Sequence, residues 1–333
     1  MDVIQTEALG QVHEVYEDGD SRLPPGGEES SSIDHTTTID QDRLMRLAKE
    51  LFRGTVPRGL DFEILLLKRK EDTLQLHQRF STNGAEKESQ VLDRISAARK
   101  EARQIAAYTC ISEYMFAEPR IDRHFCYQRV VSEARLRKQP LKLIDVGCCV
   151  GTDIRQLIHD GFPPGDITGM DIETRFFSIG FALYNQNRTD SATTFVQANI
   201  LDPDFARRFS HLKGKFDYVH SANVIHLFDY ASQIAFLRAL AFLAKPGGLV
   251  WGRQVAETED SPTRSVKLEG KGERFTPAEF MRMWTTATGF KGPGIEWTSR
   301  LVPYDELRLV QDYKKNTLEW CVTIPLESSS VDI

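Results

Sequence analysis

The stretch Leu143-Ile144-Asp145-Val146-Gly147-Cys148-Cys149-Val150-Gly151-Thr152-Asp153-Ile154-Arg155 constrains the fold of this chain more than any other. An apolar run of β-forming residues ends in an acid. A turn of small residues follows, and a helix opens at Thr152 or Asp153, both residue types that cap helix N-termini well. This is a strand–turn–helix unit of an α/β fold, and its turn lies at the carboxyl end of a strand, where open parallel sheets bind ligands. The spacing narrows the ligand. A dinucleotide fingerprint, Gly-x-Gly-x-x-Gly, seats a pyrophosphate on the helix N-terminus. Aligned on Gly147, it needs glycines where this chain has Cys149 and Thr152. The pattern present is acid-x-Gly-x-small-x-Gly, carried by Asp145, Gly147, Cys149 and Gly151.

At 333 residues the chain holds one large domain with additions, or two modest ones. No apolar run approaches the ~18–20 residues of a membrane span, so no membrane partner is expected. No basic region followed by an apolar stretch marks a signal peptide near the first residues. The net charge of −6 argues against a nucleic-acid partner, which favours a basic face. The five cysteines are scattered, with no CxxC pair and no Cys/His metal spacing. A reducing, cytoplasmic location and no metal site are therefore expected.

Three segments are expected. Residues 1–38 are acidic and poor in apolar side chains, and read as a disordered tail. Residues 39–140 read as a helical cap or extension. Within them Leu44, Leu47, Ala48 and Leu51 share a helical face, Glu63–Leu67 suits strand or helix, and Ser81–Gly84 signals a turn. Helices are expected over about 86–116, ended by Pro119, and over 121–137. This region is either a lid over the site or a stabilising extension, and Tyr108 lies where a helix could pass over the ligand pocket.

Residues 141–327 alternate strand and helix. Strands are expected at Ile167–Asp171, Thr193–Ile200 and Phe216 onward, helices at 176–187, 202–209 and 232–243. Lys245-Pro246-Gly247-Gly248 turns into a fifth strand, and 257–273 reads as a surface loop. A helix capped by Gly289 starts at Thr276, and two late strands follow, at 295–297 and 318–324. Asp171 ends the second strand about twenty residues past the glycine turn. A carboxylate there can accept both ribose hydroxyls of an adenosine, in NAD or S-adenosylmethionine (SAM) alike, or can simply cap a helix; Glu173 is the lesser candidate.

In their order, these stretches resemble the class I SAM-dependent methyltransferases over residues 141–324. The resemblance implies a Rossmann-like seven-stranded α/β sheet, here with an N-terminal helical cap, and SAM as cofactor. It places the 145–151 turn beside the amino-acid end of SAM, Asn199 and Ile200 at the adenine edge, Ser221 beside the methionine portion, and His226 at the rim. The 145–155 stretch and the preceding helix carrying Tyr108-Thr109-Cys110-Ile111 and Arg120-Ile121 are similar to a subgroup of fungal secondary-metabolite methyltransferases, some of which esterify carboxylates.

The implied chemistry is in-line methyl transfer to a small-molecule acceptor, in which the protein aligns the reactants and excludes water. An ionised carboxylate needs no base; a hydroxyl is helped by one, and His226 is the candidate. A packing role for that histidine is equally open. The aromatic supply (Phe116, Phe125, Tyr127, Trp251, Trp284, Trp297) suits an apolar pocket or a core. Ser221-Ala222-Asn223-Val224 is not the Asn/Asp-Pro-Pro-aromatic motif of amino-group nucleic-acid methylases. A non-catalytic SAM-fold protein and a nicotinamide oxidoreductase stand as rivals, and a homodimer is left open.

Overall fold

The computed structural model describes residues 70–80, 86–136, 139–258, 274–290, 296–303 and 316–326. The expectations for the 1–38 tail, the 40–52 helix, the 63–67 run and the 81–84 turn lie outside these residues, as does most of the 257–273 loop.

The helices are α1 (Lys70–Arg79), α2 (Glu88–Arg103), α3 (Thr109–Ser112), α4 (Tyr127–Leu136), α5 (Thr152–His159), α6 (Thr174–Leu183), α7 (Phe205–Arg208), α8 (Tyr230–Leu243) and α9 (Pro277–Thr288). The strands are β1 (Leu143–Val146), β2 (Ile167–Asp171), β3 (Thr194–Gln197), β4 (Phe216–Ala222), β5 (Ala244–Ala256), β6 (Glu296–Pro303) and β7 (Asn316–Thr323). They form one seven-stranded sheet in the order β3-β2-β1-β4-β5-β7-β6. β1 to β5 run parallel, and β7 is antiparallel to both β5 and β6. This is the Rossmann-like class I methyltransferase arrangement that the resemblance implies. The order reverses between β2-β1 and β4, so the carboxyl ends of β1 and β4 open at the topological switch point where ligands bind.

β1 is buried along its whole length because both faces are covered. On one face Ile144, Val146, Met170 and Val219 pack with Phe236 and Leu240 of α8 and Met283 and Trp284 of α9. α8 lies in that core with nine buried residues, so its sequence shows little amphipathic pattern. On the other face Leu143, Tyr218 and Trp251 pack with Tyr127 and Val130 of α4, Leu157 of α5 and Phe177 of α6. A third cluster joins Val91, Leu92 and Ile95 of α2 to Phe176, Ile179 and Leu183 of α6, and includes Val150 of the glycine turn. Each such aliphatic side chain contributes about 1.5–3 kcal/mol. The N-terminal helices are thus packed against the helix that borders the turn.

The expected 86–116 helix is broken. α2 ends at Arg103, Tyr108 is extended (φ −62°, ψ 141°), and Tyr114 takes a left-handed φ of 59°. The apolar periodicity continues through the break because the chain folds back and returns Ile105, Ile111 and Tyr114 to the core of Val91 and Ile95. Arg99 Nε holds the returning segment by donating to Ser112 O at 2.9 Å. The 121–137 helix likewise divides into a 3-10 turn at Ile121–Arg123, an extended His124 and α4. α6 begins at Thr174 rather than 176, because the Glu173 carboxylate caps it by accepting from Arg175 N at 2.9 Å. It ends before 187, where Asn185 turns to φ 50°. The two late strands are longer than expected, since β5 and β7 pair over eight residues. Among the described residues no helix is long and apolar enough to cross a membrane, and none of the His/Cys/Asp/Glu groupings could hold a metal.

Candidate active site

The turn after β1 holds three residues at positive φ: Gly147 (77°), Cys149 (50°) and Gly151 (75°). Gly147 N and Cys148 N both donate to Met170 O, at 2.8 and 3.1 Å, which ties the turn to the end of β2. A Cβ on Gly147 would meet Val224 Cγ2 at 2.4 Å, so glycine is needed there for the loop after β4 to close on the turn. Gly180 of α6 stands against Val150 O, where a Cβ would come within 2.1 Å. Arg155 is buried; its Nη1 donates to Val150 O (2.8 Å) and Gly151 O (3.0 Å), and its guanidinium lies 4.3 Å from the Tyr184 ring centroid. It closes the turn from below.

The residue that caps α5 is Gly151, not Thr152 or Asp153. Those side chains bind the N-terminal region instead. Thr152 Oγ1 donates to Phe116 O at 2.6 Å, and Asp153 Oδ1 accepts from Arg120 N (2.9 Å) and Ile121 N (3.0 Å). The same packing seats Tyr108, Cys110 and Cys149 together at the edge of one core cluster. Tyr108 is half-buried there, at the N-cap of α3.

Asp171 is 9% exposed at the end of β2. Its Oδ2 accepts from Cys149 N at 2.8 Å and its Oδ1 from Glu173 N at 3.1 Å. Burial pushes its carboxyl up from 3.8 to about 6, against the pull of these two N–H groups. It is not a helix cap; Glu173 has that role, and its charge is taken by Arg175. A carboxylate offers about four acceptor directions, so Asp171 retains capacity for two hydroxyls. Its backbone carbonyl accepts from Ala198 N at 3.0 Å, which sets Asn199 and Ile200 beside it, both half-buried. Asn199 Oδ1 accepts from Leu201 N at 3.0 Å. Ser221, at the end of β4, is buried and donates to Val146 O at 2.9 Å. His226 is half-buried in a 3-10 turn (Ile225–Leu227) two residues beyond Val224, the residue that covers Gly147.

Asp145 differs from the other acidic candidate. It is 4% exposed, and its Oδ1 accepts from His220 Nδ1 at 2.7 Å across the paired strands β1 and β4. Burial raises its carboxyl above the ordinary value, with His220 opposing. Its carboxylate is therefore committed to the sheet interior and anchors the turn from behind. Trp251 separates this pair from a second buried histidine, His124, with ring centroids at 4.5 Å (His220) and 4.9 Å (His124). His124 Nδ1 accepts from Cys126 N at 3.1 Å, so Nε2 carries the proton donated to Gly252 O at 3.0 Å. Burial holds its pKa down at about 3. Trp251, Tyr127, Trp284 and Phe116 are core, which leaves Phe125 and Trp297 as the half-buried members of the aromatic set.

Sequence reasoning missed His124 and Arg253, and gave Arg120 no site role. One signal was available: Arg253 and Gln254 interrupt the otherwise apolar strand Leu249–Ala256.

The sequence profile of the methyltransferase-domain family matches residues 144–250, which run from β1 into β5. Methyltransferase trt5 of Aspergillus terreus is 31% identical over 65% of this chain and 75% of its own length. Methyltransferase ausD of Aspergillus calidoustus is 30% identical over 61% and 73%, and O-methyltransferase atr3 of Stereocaulon alpinum 30% identical over 64% and 61%. With the seven-stranded order and the glycine turn, these matches establish that the chain belongs to the class I SAM-dependent methyltransferases, with fungal enzymes among its relatives.

Proposed function

We propose that this methyltransferase transfers the SAM methyl group to an oxygen, a carboxylate or a hydroxyl, of a small-molecule secondary metabolite. The observation that carries the cofactor site is the Asp171 carboxylate, suspended between Cys149 N and Glu173 N beside a turn whose three positive-φ residues bring bare backbone to the site. In this reading Asp171 accepts the ribose hydroxyls. The backbone of Gly147, Cys149 and Gly151 borders the amino-acid end of the cofactor. Asn199 and Ile200 border the adenine, and Ser221 and Tyr108 flank the site. Asp145 acts from behind, through His220. When bound, SAM supplies an electrophilic methyl on a good leaving group. The chain's own work is to orient the acceptor, exclude water, and, for a hydroxyl, take its proton on His226. The helical region through residue 136 serves as the lid: Thr152 and Asp153 tie it to the first turn of α5. The word O-methyltransferase in the name of the Stereocaulon relative, and of phiE from a fungal strain at 26% identity, supports oxygen as the acceptor atom.

The test is S-adenosylhomocysteine release from SAM over a panel of aromatic and terpenoid acids and phenols, with products identified by mass spectrometry. Turnover on acids that survives His226→Ala assigns a carboxylate acceptor. Turnover on phenols that drops by about 10²–10⁴ in that variant assigns a hydroxyl and the base. Transfer to nitrogen or carbon acceptors alone overturns the reading.

A further inference from the structure

Two arginines to which sequence reasoning gave no site role lie on segments that meet beside the site, where His124 Nε2 donates to Gly252 O at 3.0 Å. Arg253 lies on β5 between Ala222 of β4 and Glu319 of β7 in register, and its carbonyl accepts from Asn223 N at 2.7 Å. It therefore stands at the carboxyl end of β4, where the loop of Val224 and His226 leaves the sheet. By the two-residue period of a strand it shares the face of Leu249 and Trp251, the face covered by α4 and α5. Arg120 follows Pro119 and precedes the 3-10 turn at Ile121. Arg120 is 9% exposed and Arg253 7%. Arg253 Nε is fully buried with no hydrogen-bond partner among the described residues.

Charges of both signs act on Arg253. Arg120, Arg123, Glu319 and Asp153 all act on Arg253. Glu319 Oε2 is taken by Arg300 Nε at 2.7 Å, and Asp153 Oδ1 by the backbone N–H groups of Arg120 and Ile121. Arg300 also donates to Arg123 O at 3.1 Å. Arg253 thus has Glu319 and Asp153 near it, each with one carboxylate oxygen already engaged. Burial holds Arg253 down at about 10, and Arg120 is the next cause. Arg120 N and Ile121 N bond Asp153, in the first turn of the helix that opens at the glycine turn, so Arg120 lies on a segment held beside that turn. A buried guanidinium nitrogen without a hydrogen-bond partner is costly, and it persists where an anion completes the set.

We propose that Arg120 and Arg253 form a clamp for a carboxylate over the ends of β4 and β5. Paired planar guanidiniums match a carboxylate through bidentate hydrogen bonds. The carboxylate has two sources: the methionyl end of the cofactor, or the acceptor. The second source rests on the oxygen-acceptor reading above; the first does not.

The test uses the full chain and the variants Arg120→Met and Arg253→Met. Removing an unpaired buried charge should leave the melting temperature of the ligand-free variants equal or higher, which shows that they fold. Calorimetry then compares S-adenosylhomocysteine with 5′-methylthioadenosine, which lacks the amino-acid carboxylate. Thermal shift compares benzoate with neutral benzamide, with and without saturating S-adenosylhomocysteine. A loss of about tenfold to a hundredfold for S-adenosylhomocysteine, with methylthioadenosine unchanged, places the methionyl carboxylate in the clamp. Unchanged S-adenosylhomocysteine affinity, with the benzoate-over-benzamide shift abolished, places the acceptor carboxylate there. Folded variants that alter neither difference, or a wild type that prefers neither carboxylate, overturn the clamp. Failure of wild type to bind S-adenosylhomocysteine at all counts against the functional reading, while the benzoate arm without it still judges the clamp.

Discussion

Replacing Asp171 by Asn separates what this carboxylate does for the ligand from what it does to the fold. Hydrogen bonds to a charged group contribute about 1.5–3 kcal/mol each. Asn keeps one acceptor oxygen and loses the charge, so S-adenosylhomocysteine should bind about 30- to 150-fold more weakly, a loss of about 2–3 kcal/mol. The fold should respond in the opposite sense. Burial raises the Asp171 carboxyl from 3.8 to about 6, so between those values the folded protein holds a proton that the unfolded chain has released. Stability from this group is therefore complete at low pH and is lost as pH rises through about 6, by about 3 kcal/mol in all and about 1.3 kcal/mol of it between pH 5 and 7. The Asn variant lacks this slope. Urea denaturation of ligand-free protein should show the variant gaining on wild type by that amount between pH 5 and 7, whatever constant offset arises from its altered bonds to Cys149 N and Glu173 N. Titration calorimetry should show wild-type affinity falling by up to tenfold per unit below about pH 6, and a flat profile for the variant. An Asp171→Asn variant that binds within threefold of wild type, or a wild-type affinity that does not change from pH 5 to 7, refutes the assignment.

Three further outcomes follow from the packing. A Cβ on Gly252 would come within 1.8 Å of Ser221 O, on a backbone clamped between β4 and β7, so Gly252→Ala should destabilise by about 3 kcal/mol or more in chemical denaturation. Gly165→Ala, with nothing within 4 Å, should stay within about 0.5 kcal/mol of wild type; similar losses in both would contradict the close-approach argument. Cys149→Gly should relieve part of the roughly 1–2 kcal/mol cost of a side chain at φ 50° and leave S-adenosylhomocysteine affinity within about threefold; a tenfold loss would mean that the thiol itself contacts ligand. His220→Leu strands the Asp145 carboxyl in the sheet and should lower stability by about 3–5 kcal/mol at pH 7, as read by urea midpoint.

The acid-Gly turn, the strand–helix alternation, the second-strand acid and the Pro-Gly-Gly turn are properties of neighbouring residues, and each is legible in the order of the amino acids alone. A positive φ favours Gly, a buried parallel strand needs an apolar run, and a carboxylate at a strand end is displaced from that strand by one residue at most. The errors fell where local pattern and tertiary contact diverge. The apolar rhythm of residues 86–116 reads as one helix, yet the chain bends at Gln104 and returns the same side chains to the same core. Thr152 and Asp153 have the chemistry of caps, but packing gave them partners in the N-terminal region. Asp145 and His220 are 75 residues apart and meet only because β1 and β4 pair in one register. Arg253 and Arg120 approach only because that register places β5 under the N-terminal region. Sequence by itself determined the α/β class and the glycine turn after β1, since these depend on backbone conformation and hydrophobic period over a few residues. Tertiary structure alone decided which buried charges are paired and which await a ligand, because the partners of a charge are set by packing across the sheet.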